Sequence, residues 1–131
     1  MLTKTSKQII NALVELAKLK EGEWLGVGVI AHRIKAPQNY LGKMLQSFAA
    51  KGLVLSQKGL GGGFQLAREP EKITLFDVVE PVENVSVWSN CALGMKKCSD
   101  THPCPVHHEW KIVKENYLNF LKNTTVASLM K

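Results

Sequence analysis

A glycine-rich hexapeptide between two short apolar runs is the feature that most limits the folds open to this chain. The hexapeptide is Lys58–Gly63, with Leu53–Gln57 before it and Phe64–Ala67 after it. Four of its six residues are glycine, which adopts turn conformations without steric cost. Two runs of strand-forming residues around such a turn predict a β-hairpin.

Three amphipathic helices are predicted upstream of the hairpin. Apolar residues at helical spacing predict the first over about 5–20 and a short second over Val27–Lys35. Pro37 suits the first turn of a third helix, which Gly52 closes. Two helices joined by a tight turn form a helix-turn-helix, and a hairpin directly after that motif is a wing.

Basic residues are concentrated in the same part of the chain. The whole chain has a net charge of +6, and residues 1–68 carry ten Lys or Arg against three Asp or Glu. From Trp24 to Arg68 there are six cations and no acid. A stretch of one sign this long is what a polyanion-binding module needs, although charge alone leaves an ordinary solvated basic surface equally open.

Two further helices are predicted downstream of the hairpin. Thr74 and Asp77 are spaced as a capping box, and the helix that they begin should end at about Glu80 because Pro81 follows. Pro105 suits the first turn of a long last helix, with Cys104 as its N-cap. The large apolar residues of this helix recur at intervals of four, three, four and three, and they form a seam: Val106, Trp110, Val113, Tyr117 and Phe120. We interpret this seam as a dimer interface rather than as part of the chain's own core.

All three cysteines lie in one window without helical or strand periodicity. Cys91, Cys98 and Cys104, with His107, form the pattern C-x6-C-x5-C-x2-H. A loop can wrap several thiolates around one centre. The spacing lacks the tight pairs of cysteines usual in structural zinc sites, so it favours an iron–sulfur cluster over zinc, with free redox thiols third. His108 could reach the same centre as His107.

Several classes of protein are excluded or disfavoured. Apolar residues make up 45% of the chain, which excludes global disorder, and no apolar run approaches the roughly 20 residues that span a bilayer. The N-terminal residues contain no apolar signal-peptide region, which predicts a cytoplasmic protein with reduced thiols. No Ser/His/Asp set, phosphate loop or paired-carboxylate site is present, so we do not expect an enzyme.

Several motifs together resemble the Rrf2 family of bacterial winged-helix repressors, which includes iron–sulfur and nitric-oxide sensors. The resemblance covers nearly the whole chain, and the matching stretches are Leu2–Lys4, Pro37–Leu41, Lys51–Val54, Lys58–Phe64 and Ile73–Val79. The chain departs from the family's pattern at Pro37, Gly42, Lys58 and Leu60. Because of these departures, we expect the operator sequence to differ from that of other family members, whereas DNA binding itself is still expected.

The resemblance implies a homodimer in which the long C-terminal helix crosses its twin. It also implies that Cys91, Cys98 and Cys104 ligate an iron–sulfur cluster and that His107, at the family's C-x2-H spacing, completes the set. A two-iron (2Fe–2S) cluster is favoured, with a four-iron (4Fe–4S) cluster as the alternative. In some nitric-oxide-sensing members the extra cluster ligand is an acid near the N-terminus of the partner chain. This chain has Lys7 at that position, so we do not expect that arrangement here.

The predicted fold is mainly α with a small β-hairpin wing: a winged helix-turn-helix plus a long C-terminal dimerisation helix. We expect a DNA-binding domain over 1–82, a cysteine-rich cluster-binding loop over 83–104, and a dimerisation helix with its tail over 105–131. The predicted function is a cluster-sensing transcriptional regulator, a repressor, that binds a double-stranded DNA operator as a homodimer. The alternatives are a zinc- or thiol-based winged-helix regulator and an iron–sulfur carrier or assembly protein.

The residues expected to contact DNA lie in the third helix and in the wing. Those of the helix would enter the major groove, and those of the wing would lie on the backbone or in the minor groove. We interpret the wing glycines as allowing a phosphate to approach closely, in preference to an ordinary loose turn. The set is Gln38, Asn39, Tyr40, Lys43, Lys58, Gly61, Gly62 and Gly63.

Overall fold

Five helices and one β-hairpin make up the part of the chain that the structure, a computed structural model, describes: residues 2–85 and 107–130. In chain order the elements are α1 (Lys4–Ala17), α2 (Val27–Ile34), α3 (Gln38–Ala50), β1 (Val54–Gln57), β2 (Gly63–Leu66), α4 (Leu75–Glu83) and α5 (His107–Asn123). Single 3-10 turns lie at Pro70–Lys72 and Ala127–Leu129. The predicted mainly helical fold with a small β-hairpin is confirmed. Within the described ranges, no helix is long and apolar enough to cross a bilayer.

One hydrophobic core joins all five helices and the hairpin. Apolar residues at helical spacing turn one face of α1, α3 and α4 inward, and Phe48 of α3 is completely buried at the centre. The helix after the cysteine window shares this core, because Leu121 and Val126 are also fully buried. The other fully buried large side chains are Ile9, Leu13, Ile30, Leu41, Leu45, Ile73, Val54, Val78, Val79 and Val85.

The wing contains a strand contact that the sequence does not reveal. β1 and β2 pair antiparallel, with Val54 opposite Leu66 and Gln57 opposite Gly63. On its other edge β2 pairs with Leu25, which exchanges two backbone hydrogen bonds with Phe64 at 2.9 and 3.0 Å. The segment before α2 therefore adds a third, one-residue strand to the wing and ties it to the helix-turn-helix.

Helix α4 starts as predicted but does not stop where predicted. The Thr74 hydroxyl accepts from the Asp77 N–H at 3.1 Å, and the Asp77 carboxylate accepts from the Thr74 N–H at 3.0 Å, which confirms the capping box. The helix then continues through Pro81 to Glu83, so the predicted end at Glu80 is wrong.

Tertiary contacts explain why the proline does not end α4. Pro81 is exposed and lies in the last turn, so its ring removes one backbone hydrogen bond near the end of the helix. The N–H of Asn84 still donates to the carbonyl of Glu80 at 2.8 Å, and Val78 and Val79 hold the helix in the core.

Pro37 also differs from expectation, since it is the N-cap of α3 and the helix begins at Gln38.

The chain after α5 returns to the start of α4. The N–H of Leu75 donates to the carbonyl of Thr124 at 2.8 Å, and the N–H of Val126 donates to the carbonyl of Ile73 at 2.9 Å. Nearby, the Lys122 ammonium lies 5.0 Å from the centroid of the Phe76 ring, within range of a cation–π contact. These contacts fix the C-terminal end of α5 against α4.

Candidate nucleic-acid interface

The polar face of α3 and the base of the wing enclose a surface groove of about 500 Å³. Three of the four residues predicted to read DNA line it: Gln38, Asn39 and Lys43. The other lining residues are Val27, Gly42, Gln46 and Phe64. All three predicted residues are exposed, because the apolar positions of α3 turn the opposite face into the core.

Two further residues of α3 line this groove that were not among the predicted DNA-contacting residues. Gln46 follows Lys43 by three positions and Asn39 by seven, so helical periodicity alone could have placed it on the same helix face as those two residues. Its side-chain amide donates to the Ser56 hydroxyl at 3.2 Å, which links α3 to β1 of the wing. Gly42 also lines the groove, and a Cβ there would lie at an ordinary contact distance of 3.7 Å from a methyl group of Val27.

Tyr40 stands apart from the other predicted reading residues. It is 48% exposed, but it is absent from the groove lining. Its hydroxyl lies 3.4 Å from that of Thr5 in the first turn of α1. A separation this far above the usual 2.7–2.8 Å for hydroxyl pairs marks a weak hydrogen bond, which another partner could replace.

The wing glycines are required by the hairpin's own backbone. Gly59, Gly61 and Gly63 have positive φ values of 92°, 75° and 135°. A Cβ on Gly62 would lie 2.9 Å from the carbonyl carbon of Gln57, and one on Gly63 would lie 2.7 Å from the backbone nitrogen of Gly26. The turn is therefore tightly built rather than loose, and its own geometry explains the glycines before any ligand is considered.

The tip of the wing projects into solvent. Lys58 is exposed, and Leu60 is the most exposed large apolar residue in the described part of the chain. An apolar side chain at this position is free to contact a partner.

The basic stretch presents its charges to solvent. All six cations between Trp24 and Arg68 are exposed. Arg33 is partly neutralised, because it lies 3.5 Å from Glu15. A hydrogen bond from Lys18, at 2.9 Å, is the main cause that lowers the pKa of the Glu15 carboxyl, and Arg33 adds to the effect.

The other five cations have no ion-pair partner within residues 2–85 and 107–130: Lys35, Lys43, Lys51, Lys58 and Arg68. Their positive charge is therefore available to a polyanion.

The predicted metal ligands lie mostly outside the described residues. Cys91, Cys98 and Cys104 fall in the undescribed stretch 86–106, as does Val106, and only the backbone of His107 is described, as the first residue of α5. Elsewhere, in the described ranges, no group of three or more His, Cys, Asp or Glu side chains could hold a metal ion.

The predicted seam of α5 is partly exposed and partly buried in the chain's own core. Val113 and Phe120 are 50% and 48% exposed, and Ile112, which the seam omitted, is 61% exposed. Trp110 is half-buried. Tyr117 is only 5% exposed and lies in the chain's own core, with its ring stacked 6.4 Å from that of Phe120, so it can bury little more against a partner.

A helix-turn-helix followed by a hairpin, with exposed cations on an acid-free stretch of sequence and a polar helix face toward solvent, defines a winged-helix transcriptional regulator rather than an enzyme. The chain belongs to the Rrf2 family, described as iron-dependent transcriptional regulators, which it matches over residues 2–131. The resemblance noted from the motifs is thereby confirmed.

Relatives identified by sequence agree with this assignment. The chain is 36% identical over 132 residues to a protein of Aquifex aeolicus named as an HTH-type transcriptional regulator, covering 99% of this chain and 91% of the relative. It is 26% identical to the HTH-type transcriptional regulator IscR of Yersinia pseudotuberculosis, covering 98% and 78%.

The fold is similar to that of two named regulators. The structure of CymR, the global cysteine regulator of B. subtilis, matches with a TM-score of 0.80 at 21% identity, covering 99% of this chain and 95% of CymR. The structure of T. potens IscR matches with a TM-score of 0.78 at 22% identity, covering 99% and 85%.

We expect alanine at Gly63 to damage the wing more than alanine at Gly61. Gly61 has open space around it, so Gly61→Ala should lower the free energy of unfolding only by the cost of a left-handed alanine, about 1–2 kcal/mol. Gly63→Ala adds a clash with the backbone at Gly26 and should exceed that cost. Chemical denaturation at fixed protein concentration measures both. Equal losses would contradict the described approach of β2 to Leu25.

Proposed function

We propose that this chain is a homodimeric repressor that binds operator DNA through α3 and the wing and senses its signal through the cysteine-rich segment. The observation that carries the DNA-binding part is the groove lined by Gln38, Asn39 and Lys43, which lie in a stretch of sequence with six exposed cations and no acid. Amide side chains can pair with adenine edges in the major groove, and Lys43 with guanine or phosphate. Lys58 and the wing would contact the backbone or the minor groove beside it. A protein with this role works in the cytoplasm.

The exposed apolar face of α5 supports the homodimer. Ile112, Val113 and Phe120 lie on one side of the helix, and each is about half exposed or more. Two copies of this face packed together would remove apolar surface from water, which stabilises association. A C2 dimer would also present two recognition helices to a two-fold symmetric operator.

The donor set supports an iron–sulfur cluster as the sensing group. Three thiols and an imidazole in the order C-x6-C-x5-C-x2-H are ligands that such clusters accept, and Cys91, Cys98, Cys104 and His107 would hold it. When bound, the cluster would supply chemistry that responds to redox state or nitric oxide. The named IscR relatives and the iron-dependent family description favour this assignment. A two-iron cluster is proposed first and a four-iron cluster second.

A thiol-based sensor is the second candidate. One of the similar folds is an oxidized form of CymR from Staphylococcus aureus, with a TM-score of 0.78 and 20% identity. In that alternative Cys91, Cys98 and Cys104 act through their own oxidation, without a metal. Zinc in the same segment remains the third possibility.

DNA affinity should fall steeply with salt. If a dimer neutralises on the order of six phosphates, affinity should drop by roughly a thousandfold between 50 and 200 mM salt, because Lys and Arg displace counterions. Lys58→Ala should weaken binding to all duplexes alike and lower the salt slope by about one per subunit. Lys72→Ala, outside the helix-turn-helix and wing, is the control and should leave the slope unchanged. A flat salt dependence in wild type would show that the basic face is not the binding surface.

A charge on the apolar face of α5 should dissociate the dimer. Phe120→Asp places a carboxylate where the partner would pack, and unpaired buried charge is strongly unfavourable. Sedimentation analysis should show a monomer for this variant. Asn11→Asp, an equal charge change at an exposed position of α1, should remain dimeric. If both variants sediment as wild type, the interface lies elsewhere.

Ligand substitutions should separate the sensing alternatives. Anaerobically prepared wild type should absorb visible light and contain iron and sulfide, and Cys91→Ala, Cys98→Ala and Cys104→Ala should each lose stable incorporation. His107→Ala should leave a folded dimer with a labile or spectrally altered cluster, and His108→Ala should have a smaller effect. If His108→Ala alone destroys the spectrum, the ligand is His108. If neither histidine matters, the fourth ligand comes from elsewhere, such as the N-terminus of the partner subunit.

Metal and thiol assays on the same preparations complete this test. Colourless wild type with bound zinc would establish the zinc alternative. Metal-free protein whose DNA affinity changes on thiol oxidation would establish the thiol alternative.

A further inference from the structure

Glu83, the last residue of α4, joins two parts of the fold through its carboxylate. Its Oε2 accepts from the backbone N–H of Thr3 at 3.0 Å and from the Thr3 hydroxyl at 3.2 Å, and it also accepts from the Ser6 hydroxyl. Ser6 is the only completely buried polar side chain in the described residues. Glu83 therefore anchors the first turn of α1 to the end of α4.

Helix α4, which Glu83 ends, packs against α5. Burial raises the pKa of the Tyr117 hydroxyl on α5, and the negative charge of Glu83 adds to that shift. Glu83 thus lies where α4, which precedes the cysteine window, meets α5, which follows it. A displacement of α4 relative to α1 would act directly on the contacts of this carboxylate.

The first turn of α1 also contacts the recognition helix. Thr5 lies between the two residues that Glu83 holds, and its hydroxyl is 3.4 Å from that of Tyr40, the third residue of α3. Backbone geometry makes the position of Thr5 dependent on Thr3 and Ser6, since all three share one helical turn. The contacts form a continuous path from the end of α4 to the start of α3.

We propose that Glu83 is a positioning residue that couples the cysteine segment to the recognition helix, acting on Tyr40 through the first turn of α1. The inference rests on the proposed function in treating Tyr40 as a DNA-contacting residue. A charged hydrogen-bond acceptor with three donors holds the turn firmly, whereas the contact between Thr5 and Tyr40 is weak enough to respond. A shift of α4 or α5 at Glu83 therefore changes how Tyr40 is presented to DNA.

Fluorine NMR tests the path without DNA, because Tyr40 and Tyr117 are the only tyrosines in the chain. Protein labelled with 3-fluorotyrosine should give two signals, assigned with Tyr40→Phe. Glu83→Gln should shift both signals, and Thr5→Val should shift that of Tyr40. Glu71→Gln, an equal charge change on the exposed 3-10 turn, should shift neither. If Glu83→Gln moves only the Tyr117 signal while thermal unfolding shows a folded protein, the path does not exist.

The link to the cysteines is tested by alkylating their thiols with iodoacetamide. Alkylation should shift the Tyr40 signal in wild type and have a clearly smaller effect in Glu83→Gln. An equal effect in both proteins, or none in wild type, would overturn the coupling.

A DNA-binding measurement completes the test, with a duplex that the wild-type protein selects from a random library. Glu83→Gln and Thr5→Val should each weaken its binding about threefold to tenfold, the range of coupling through such contacts, while Glu71→Gln should not weaken it. If the fluorine shifts appear and wild type selects no duplex, the proposed DNA-binding function fails while the path stands. If DNA binds and Glu83→Gln leaves the Tyr40 signal unchanged, the inference alone fails.

Discussion

The pairing of the chain after α5 with the residues before α4 determines how the rest of this structure is organised. Two backbone hydrogen bonds, from Leu75 to Thr124 and from Val126 to Ile73, hold the C-terminal end of α5 beside the start of α4. Val85 and Tyr117 are buried in the same core, on either side of the cysteine window in sequence. The core therefore anchors the residues on both sides of that window, and a change within it can act on α4 and α5 together.

The charge distribution assigns different tasks to the two halves of the chain. The helix-turn-helix and wing carry exposed cations on a stretch without acids, while eight of the eleven acids of the chain lie from Glu69 onward. Like charges around one face raise the local attraction for DNA and accelerate association. Acids such as Glu83 are used instead to hold helix ends, because a carboxylate is stabilised by the free N–H groups of a helix N-terminus.

Local sequence patterns predicted most of the helices and strands, but they did not predict contacts between residues that are far apart in the chain. The three N-terminal helices, the hairpin and the Thr74 capping box follow from periodicity and turn chemistry within a few residues. A one-residue strand at Leu25 leaves no periodic signal, and packing in the core overrode the tendency of Pro81 to end α4.

The site shows the same division. The shared exposed face of Gln38, Asn39 and Lys43 was predictable from helical geometry, and the same geometry could have added Gln46. The burial of Tyr117 in the core of its own chain was not predictable, because an apolar seam has the same spacing whether it faces a partner or a core. The glycines of the wing likewise serve the hairpin's backbone geometry, a cause that composition cannot separate from close approach to a phosphate.

The free energy that a full regulatory switch requires is larger than any single contact contributes. Moving a two-state equilibrium from about 1% to about 99% requires roughly 5.5 kcal/mol of differential binding. A hydrogen bond to a charged group contributes about 1.5–3 kcal/mol, and the contact between Thr5 and Tyr40 is weaker because it is long. The Glu83 path can therefore adjust the recognition helix but cannot supply the whole switch. In a dimer that regulates DNA binding, the larger share must come from the relative placement of the two recognition helices, which the packing of α5 against its twin would set.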